Sequence, residues 1–152
     1  MTSIFVIADV VWPGIIVAIG LTATWAVVAG LLFEYPFVKW ITGMPWRSAW
    51  RPTLVINVVS ALVGLVAIPL GGLGIEIGRS LVTPEYGTFN PVTWALTFGL
   101  ALAANTAIEG ALLVHVYKVK PTVRMVLALI VANCGSIGVT IWLVSSGRLT
   151  VN

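Results

Sequence analysis

Four apolar stretches occupy most of this 152-residue chain, and each contains at most one charged residue. They cover about residues 13–33, 53–75, 92–116 and 122–144. A helix of about 20 apolar residues crosses the hydrocarbon core of a bilayer. Charged residues make up only 9% of the chain, whereas about a quarter is typical of soluble domains. The sequence therefore predicts an all-α integral membrane protein, with four transmembrane helices forming a single domain over residues 1–152, and excludes a soluble globule, a disordered chain and a nucleic-acid-binding module.

The segments between these stretches carry the residues that interrupt helices or anchor them at a membrane surface. Residues 34–52 contain three Pro, three Trp and three basic residues, so we expect an interfacial loop there. We expect the second helix to loosen at 69–74, where a proline is followed by three glycines within five residues, and a polar connection to follow it. Residues 2–11 are expected to form a separate interfacial segment or a helical prelude ahead of Pro13. The predicted aromatic anchors of the interfacial loop are Trp40, Trp46 and Trp50.

The basic residues predict the orientation of the chain. Cytoplasmic loops of membrane proteins carry an excess of Lys and Arg. In this sequence, six basic residues lie in or beside the first and third connections, whereas the second connection and the two ends of the chain hold only Arg79 and Arg148. Both termini are therefore predicted to lie on the non-cytoplasmic side. Six basic residues lie in or beside the first and third connections: Lys39, Arg47, Arg51, Lys118, Lys120 and Arg124.

A pattern of polar residues recurs in the two halves of the chain. Glu34 precedes Asn57 by 23 positions, and Glu109 precedes Asn133 by 24. Each Asn is followed three residues later by a serine, and the two Asn-x-x-Ser segments are offset by 76 positions. We interpret this pattern as two tandem helical hairpins, with a chance match as the alternative. Two copies with an even number of spans share one orientation, so the repeat would be of the parallel kind. Repeat 1 would cover about residues 12–76 and repeat 2 about 91–145.

The repeated polar residues have two main possible roles, with lipid or pigment binding as a further alternative. The first and favoured one is interhelical hydrogen bonding, which contributes about 0.6 kcal/mol per contact in a bilayer. The second is an ion site, in which the two acids would bind protons or cations and the amides and hydroxyls would be neutral ligands. The candidate residues are Glu34, Asn57, Ser60, Glu109, Asn133 and Ser136.

Cofactor and enzyme chemistry have little support in the sequence. The chain has one Cys and one His, Cys134 and His115, which can form neither an internal disulfide nor a four-ligand metal site. His115 could contact a pigment or a haem, although an interfacial polar residue is the favoured interpretation. With this single histidine and five acidic residues, a Ser-His-Asp arrangement is hard to build, so we expect no enzyme activity.

The small size of the bundle and its small residues lead to a functional hypothesis. Stripes of small side chains let helices of the same or another chain approach closely. We expect a noncatalytic subunit that packs into and stabilises a larger membrane protein complex, with membrane lipids and other integral subunits as partners. The alternative is a small homo-oligomeric ion transporter or channel that uses Glu34 and Glu109. Either would reside in the cytoplasmic membrane of a bacterium or an archaeon. The stripes comprise Gly14, Ala18, Thr22, Ala26 and Gly30 in the first span and Gly99, Ala103, Ala107 and Gly110 in the third.

Overall fold

A computed structural model describes residues 24–82 and 91–145, and all regular structure in these two ranges is α-helical. The helices are α1 (Thr24–Thr42), α2 (Trp46–Val82), α3 (Pro91–His115) and α4 (Val123–Ser145). The all-helical prediction is confirmed for this part of the chain. The segment expected over residues 2–11, the start of the first span and most of the connection between 76 and 91 lie outside the described residues.

The connection between α1 and α2 is much shorter than the sequence suggested. Most of residues 34–52 is helical, and only Gly43–Pro45 separate the two helices, so the prediction of a long interfacial loop is wrong. Gly43 has a φ of +67°, a left-handed conformation that glycine adopts at helix ends without steric cost. Its amide donates to the Lys39 carbonyl at 3.0 Å, which closes the last turn of α1.

Helix α2 continues well beyond the predicted second span. Its 37 residues extend for about 55 Å at 1.5 Å per residue, and they include Pro52 and Pro69. The segment 69–74 stays helical, and the helix ends only at Val82. Neighbouring helices can satisfy the backbone groups that a proline leaves without a partner, and this explains why prolines are tolerated in such helices.

Helices α3 and α4 agree with the predicted third and fourth segments to within one residue at each end. A tight turn joins them, in which Lys118 has a φ of +58° and the Val119 amide donates to the Leu113 carbonyl at 3.0 Å. The Thr122 hydroxyl then accepts from the Met125 amide at 3.1 Å and caps the start of α4. The end of α3 and the start of α4 are thus both closed by local hydrogen bonds.

The four helices pack as a bundle in the cyclic order α1, α2, α3, α4, each against its two neighbours. Two layers of buried apolar side chains cross its interior. The first layer, near the two short connections, comprises Val38, Ile56, Leu113, Met125 and Leu129. The second layer, further along the bundle, comprises Ile68, Ala101 and Ile137.

Two of the described helices are long and apolar enough to cross a membrane. These segments are Trp46–Arg79 and Ala95–His115, and only 22% of the most apolar window of each is buried inside the bundle. Most of their apolar surface therefore faces outward. An outward apolar surface is costly in water and is typical of helices surrounded by lipid.

Candidate functional site

Glu34 lies on the inner face of α1, where only 3% of its surface is exposed. The side-chain amide of Asn57 on α2 donates to Oε2 of Glu34 at 2.5 Å and to the Thr53 carbonyl at 2.9 Å. The bond to Thr53 lies within α2 and orients the amide toward α1. The pair therefore joins the first two helices through a carboxyl group held by a fixed donor.

Glu109 lies on α3 and is 1% exposed. The amide of Asn133 on α4 donates to its Oε2 at 2.7 Å and to the Leu129 carbonyl at 3.1 Å. The other carboxyl oxygen, Oε1, accepts a bond from the Ser60 hydroxyl at 3.3 Å. Ser60 belongs to α2, so the Glu109 carboxyl group joins three helices.

The two sets of residues make matching hydrogen bonds. Each Asn donates to a Glu of the preceding helix and to the carbonyl four residues before itself. Ser136 donates to the Asn133 carbonyl at 3.1 Å, and Ser60 shares its single hydroxyl hydrogen between the Asn57 carbonyl at 3.1 Å and Oε1 of Glu109 at 3.3 Å. The structure thus brings each predicted Glu together with its predicted Asn, and it adds a bond between the halves from Ser60 to Glu109.

Both carboxyl groups line one cavity of about 220 Å³ inside the bundle. Glu34 and Glu109 are its titratable residues, and none of the described residues that line it is basic. Its polar wall also includes Asn57, Ser60 and Ser136, while most of the remaining lining residues are apolar. A buried carboxylate is costly unless it is protonated or paired with a cation. The site therefore favours either bound protons or a bound cation.

Small residues make room for this cavity. A Cβ atom at Gly30 would lie 3.5 Å from Oδ1 of Asn57, 3.6 Å from Cβ of Ser136 and 3.7 Å from Oε1 of Glu34. At Gly64, a Cβ atom would lie 3.8 Å from Oδ1 of Asn105. Both glycines line the cavity, and a large side chain at either position would fill it.

Asn105 is a lining residue that the sequence interpretation missed. It lies one helical turn before Glu109, so the two side chains share a face of α3. It makes no hydrogen bond within the described part of the chain. One signal in the sequence could have identified it: Asn105 precedes Glu109 by four positions, the spacing of neighbours on one helix face.

One buried oxygen beside Glu109 also lacks a hydrogen bond. Asn133 is fully buried, its Nδ2 is bonded to Glu109, and its Oδ1 has no partner among the described residues. Buried side-chain oxygens without a donor are rare and costly. Asn133 is not among the residues that line the cavity, so this oxygen is a feature of the packed interior beside it.

The two apolar layers lie on either side of this cluster. Along α2, Ile56 of the first layer precedes Asn57 and Ser60, and Ile68 of the second layer follows them. Along α3, the order is Ala101, Glu109 and Leu113. The polar groups therefore form one band between two hydrophobic layers. Asn105 and Asn133 of this band lie within two residues of the midpoints of α3 and α4.

The remaining candidates lie apart from this band. His115 is exposed at the end of α3 and lines a separate groove between α3 and α4. Cys134 is exposed on the outer face of α4. Within residues 24–82 and 91–145, no group of three or more His, Cys, Asp or Glu residues is placed to hold a metal ion. Near the far end of α2, Arg79 donates to the Thr93 hydroxyl of α3.

The predicted Trp anchors lie at the end of the bundle that carries the two short connections. Trp40, Trp46 and Trp50 are each about half exposed. The Arg124 guanidinium lies 3.8 Å from the centre of the Trp40 ring, and Nζ of Lys39 lies 5.0 Å from that of Trp46. Aromatic and basic side chains are thus interleaved there, as is typical of a membrane interface.

Comparisons of the chain with models of known protein families, with curated proteins and with solved structures found no match.

Proposed function

We propose that this protein is a small integral membrane transporter that carries cations across the bilayer and exchanges them for protons at Glu34 and Glu109. The observation that supports this proposal best is the shared cavity. Two carboxyl groups that served only to hold helices together would need no open space beside them, because close packing around each would complete that role. Instead they line one space of about 220 Å³, and none of its described lining residues is a basic side chain that could neutralise them.

The proposal includes the arrangement in the membrane. We propose four spans in two tandem hairpins, with the connections around residues 43–45 and 117–122 in the cytoplasm and both termini on the opposite side. The matching hydrogen bonds of the two halves support the repeat, and the six basic residues at one end support the orientation. The cytoplasmic membrane of a bacterium or archaeon is the proposed location.

Proteoliposomes provide the test. The protein is reconstituted into vesicles that contain a pH-sensitive dye and an acidic internal buffer. Alkali cations or organic ammonium ions are then added to the external buffer. We expect at least one of these cations to drive proton efflux through the wild-type protein. Liposomes with the Glu34→Gln/Glu109→Gln double variant provide the baseline, because Gln keeps the size and most of the hydrogen bonding but cannot exchange a proton. Equal efflux from both preparations with every cation would refute the proposal.

A second candidate function is that of a noncatalytic subunit within a larger membrane complex, and one observation favours it. Gly99, Ala103 and Ala107 are exposed on α3 and line an outer groove of about 550 Å³ between α3 and α4. Small residues on an outward helix face allow another helix to pack closely. Extraction in mild detergent followed by native mass spectrometry would test this role, since a subunit should be recovered with unlike chains and should tolerate Gln at both Glu positions.

A further inference from the structure

The size and lining of the cavity constrain which cation it would bind. A directly coordinated metal ion has its oxygen ligands at roughly 2.0–2.6 Å and fills only a small part of about 220 Å³. The rest of the space would have to hold water against walls that are mostly aliphatic. Cavities with apolar walls tend to stay dry, so the shape favours an organic cation over an alkali ion.

The inner end of the cavity offers hydrogen-bond acceptors. The carboxyl groups of Glu34 and Glu109 both line the cavity, and Asn105 adds a side-chain carbonyl that accepts no bond from the described residues. A primary ammonium group has three N–H donors and a positive charge, and this acceptor set matches both.

The outer end of the cavity is apolar and reaches the surface of the described bundle between α1 and α2. Leu54, Val58, Leu62 and Leu65 line it and are all exposed on α2. If the helices span the bilayer, these side chains face the hydrocarbon. An alkyl chain could therefore extend from the acceptors toward the lipid without contacting water.

We propose that the cavity binds a primary ammonium ion with a short alkyl tail, which enters from the bilayer between α1 and α2. This inference rests on the proposed function and specifies its substrate class.

The exchange of a proton for the ammonium ion keeps the charge of the site balanced. With both carboxyl groups protonated, the site is neutral. Binding of the ammonium ion breaks one carboxyl O–H bond and releases that proton to water. One carboxylate, one carboxyl group and one ammonium ion remain, so the buried site is again neutral. The α2 and α4 walls contribute only neutral polar groups, Asn57, Ser60 and Ser136, to this exchange.

Calorimetry on the whole protein in lipid nanodiscs tests the proposal with three probes. Hexylammonium has both the charge and the tail, 1-hexanol has the tail alone, and K⁺ has the charge alone. We expect hexylammonium to bind and to release about one proton per site, detected with a pH dye in weak buffer. Hexanol and K⁺ should release none. Proton release by K⁺ but not by hexylammonium, or equal binding of hexanol, would overturn the inference.

Matched variants separate the two ends of the cavity. Leu62 and Leu70 lie on α2 and are 61% and 62% exposed, but only Leu62 lines the cavity. We expect Leu62→Trp to weaken hexylammonium binding by about tenfold and Leu70→Trp to leave it unchanged. Asn105→Leu should weaken it by at least about tenfold, because it removes an acceptor. Thr106→Val should have no effect, since Thr106 lines the outer groove.

The inference and the proposed function can fail separately. Proton efflux that depends on the two Glu residues and is driven only by alkali ions would support transport and refute the ammonium ligand. Binding of hexylammonium with proton release, but without Glu-dependent efflux, would support the ligand and refute transport. Size-exclusion chromatography and circular dichroism of each variant would confirm that lost binding does not reflect unfolding.

Discussion

At the scale of single residues, the central feature is a pair of buried carboxyl groups, each held by an amide of the following helix. The amide of Asn133 also donates to a carbonyl within its own helix, so its direction is fixed before it meets Glu109. Removing one partner of such a buried pair leaves the other without a hydrogen bond, which costs more than the net contribution of the bond itself. Replacing both Asn133 and Glu109 by apolar residues should therefore destabilise the protein less than the sum of the two single replacements.

We expect Asn133→Leu to lower the free energy of unfolding by about 2 kcal/mol, because Oε2 of Glu109 loses its donor. Adding Glu109→Met should recover about 1 kcal/mol, since both partners are then apolar and Ser60 still donates to the Asn57 carbonyl. Unfolding in mixed micelles titrated with SDS would measure both values. As a control, the changes in the free energy of unfolding caused by Thr97→Val and Glu109→Met should be additive, because Thr97 lies about three helical turns from Glu109. Additive losses at Asn133 and Glu109 would contradict this account.

The sequence predicted much of this site but not all of it. Each Glu–Asn pair could be predicted because nearly the same spacing, 23 and 24 positions, occurs in both halves, and each structural pair joins consecutive helices. The bond from Ser60 to Glu109 could not, because sequence spacing does not determine which helices become neighbours in a bundle. Asn105 was missed because the residue 75 positions before it, at the offset that separates the two Glu residues, is Gly30, so the spacing pattern contains no matching polar residue.

At the scale of helices, contact with a neighbouring helix determines where α1 and α2 begin and end more than local composition does. The prolines, tryptophans and basic residues of 34–52 are typical of a loop, yet most of them lie in α1 and α2. The OH group of Tyr35 donates to the Trp46 carbonyl at 2.5 Å, so the two helices are joined directly beside the turn. Such tertiary contacts override local propensities, which is why helix boundaries here could not be derived from the sequence.

Two glycines of α4 allow a matched test of helix packing. A Cβ atom at Gly135 would lie 2.9 Å from Cδ1 of Phe33 on α1, whereas one at Gly138 would meet nothing within 4 Å. We expect Gly135→Ala to lower the free energy of unfolding by about 1 kcal/mol, because the Phe33 ring must shift. Gly138→Ala should raise it by up to about 1 kcal/mol through helix propensity alone. Thermal unfolding in detergent would compare them, and equal shifts of the same sign would argue against the α1–α4 contact.

At the scale of the whole molecule, the length of α2 links the fold to the membrane. A helix of about 55 Å is longer than the roughly 30 Å hydrocarbon core of a bilayer, so its two ends should lie in water on opposite sides. The end near Trp46 is rich in basic residues and carries the short connection to α1. The other end continues past Glu76 and Arg79 to Val82. One labelling experiment can therefore test both the span and its orientation.

In a Cys134→Ser background, we expect a membrane-impermeant maleimide to label Ser48→Cys and Lys120→Cys only from the cytoplasmic side. Leu81→Cys, 82% exposed at the other end of α2, should be labelled only from the opposite side. The wild-type Cys134 provides a matched control: it is exposed at the middle of α4, so in lipid it should react slowly from both sides although it reacts in detergent. Labelling of Ser48→Cys and Leu81→Cys from the same side would mean that α2 does not cross the bilayer. The carboxyl cavity would then have no access to two compartments, and the transport proposal would fail with it.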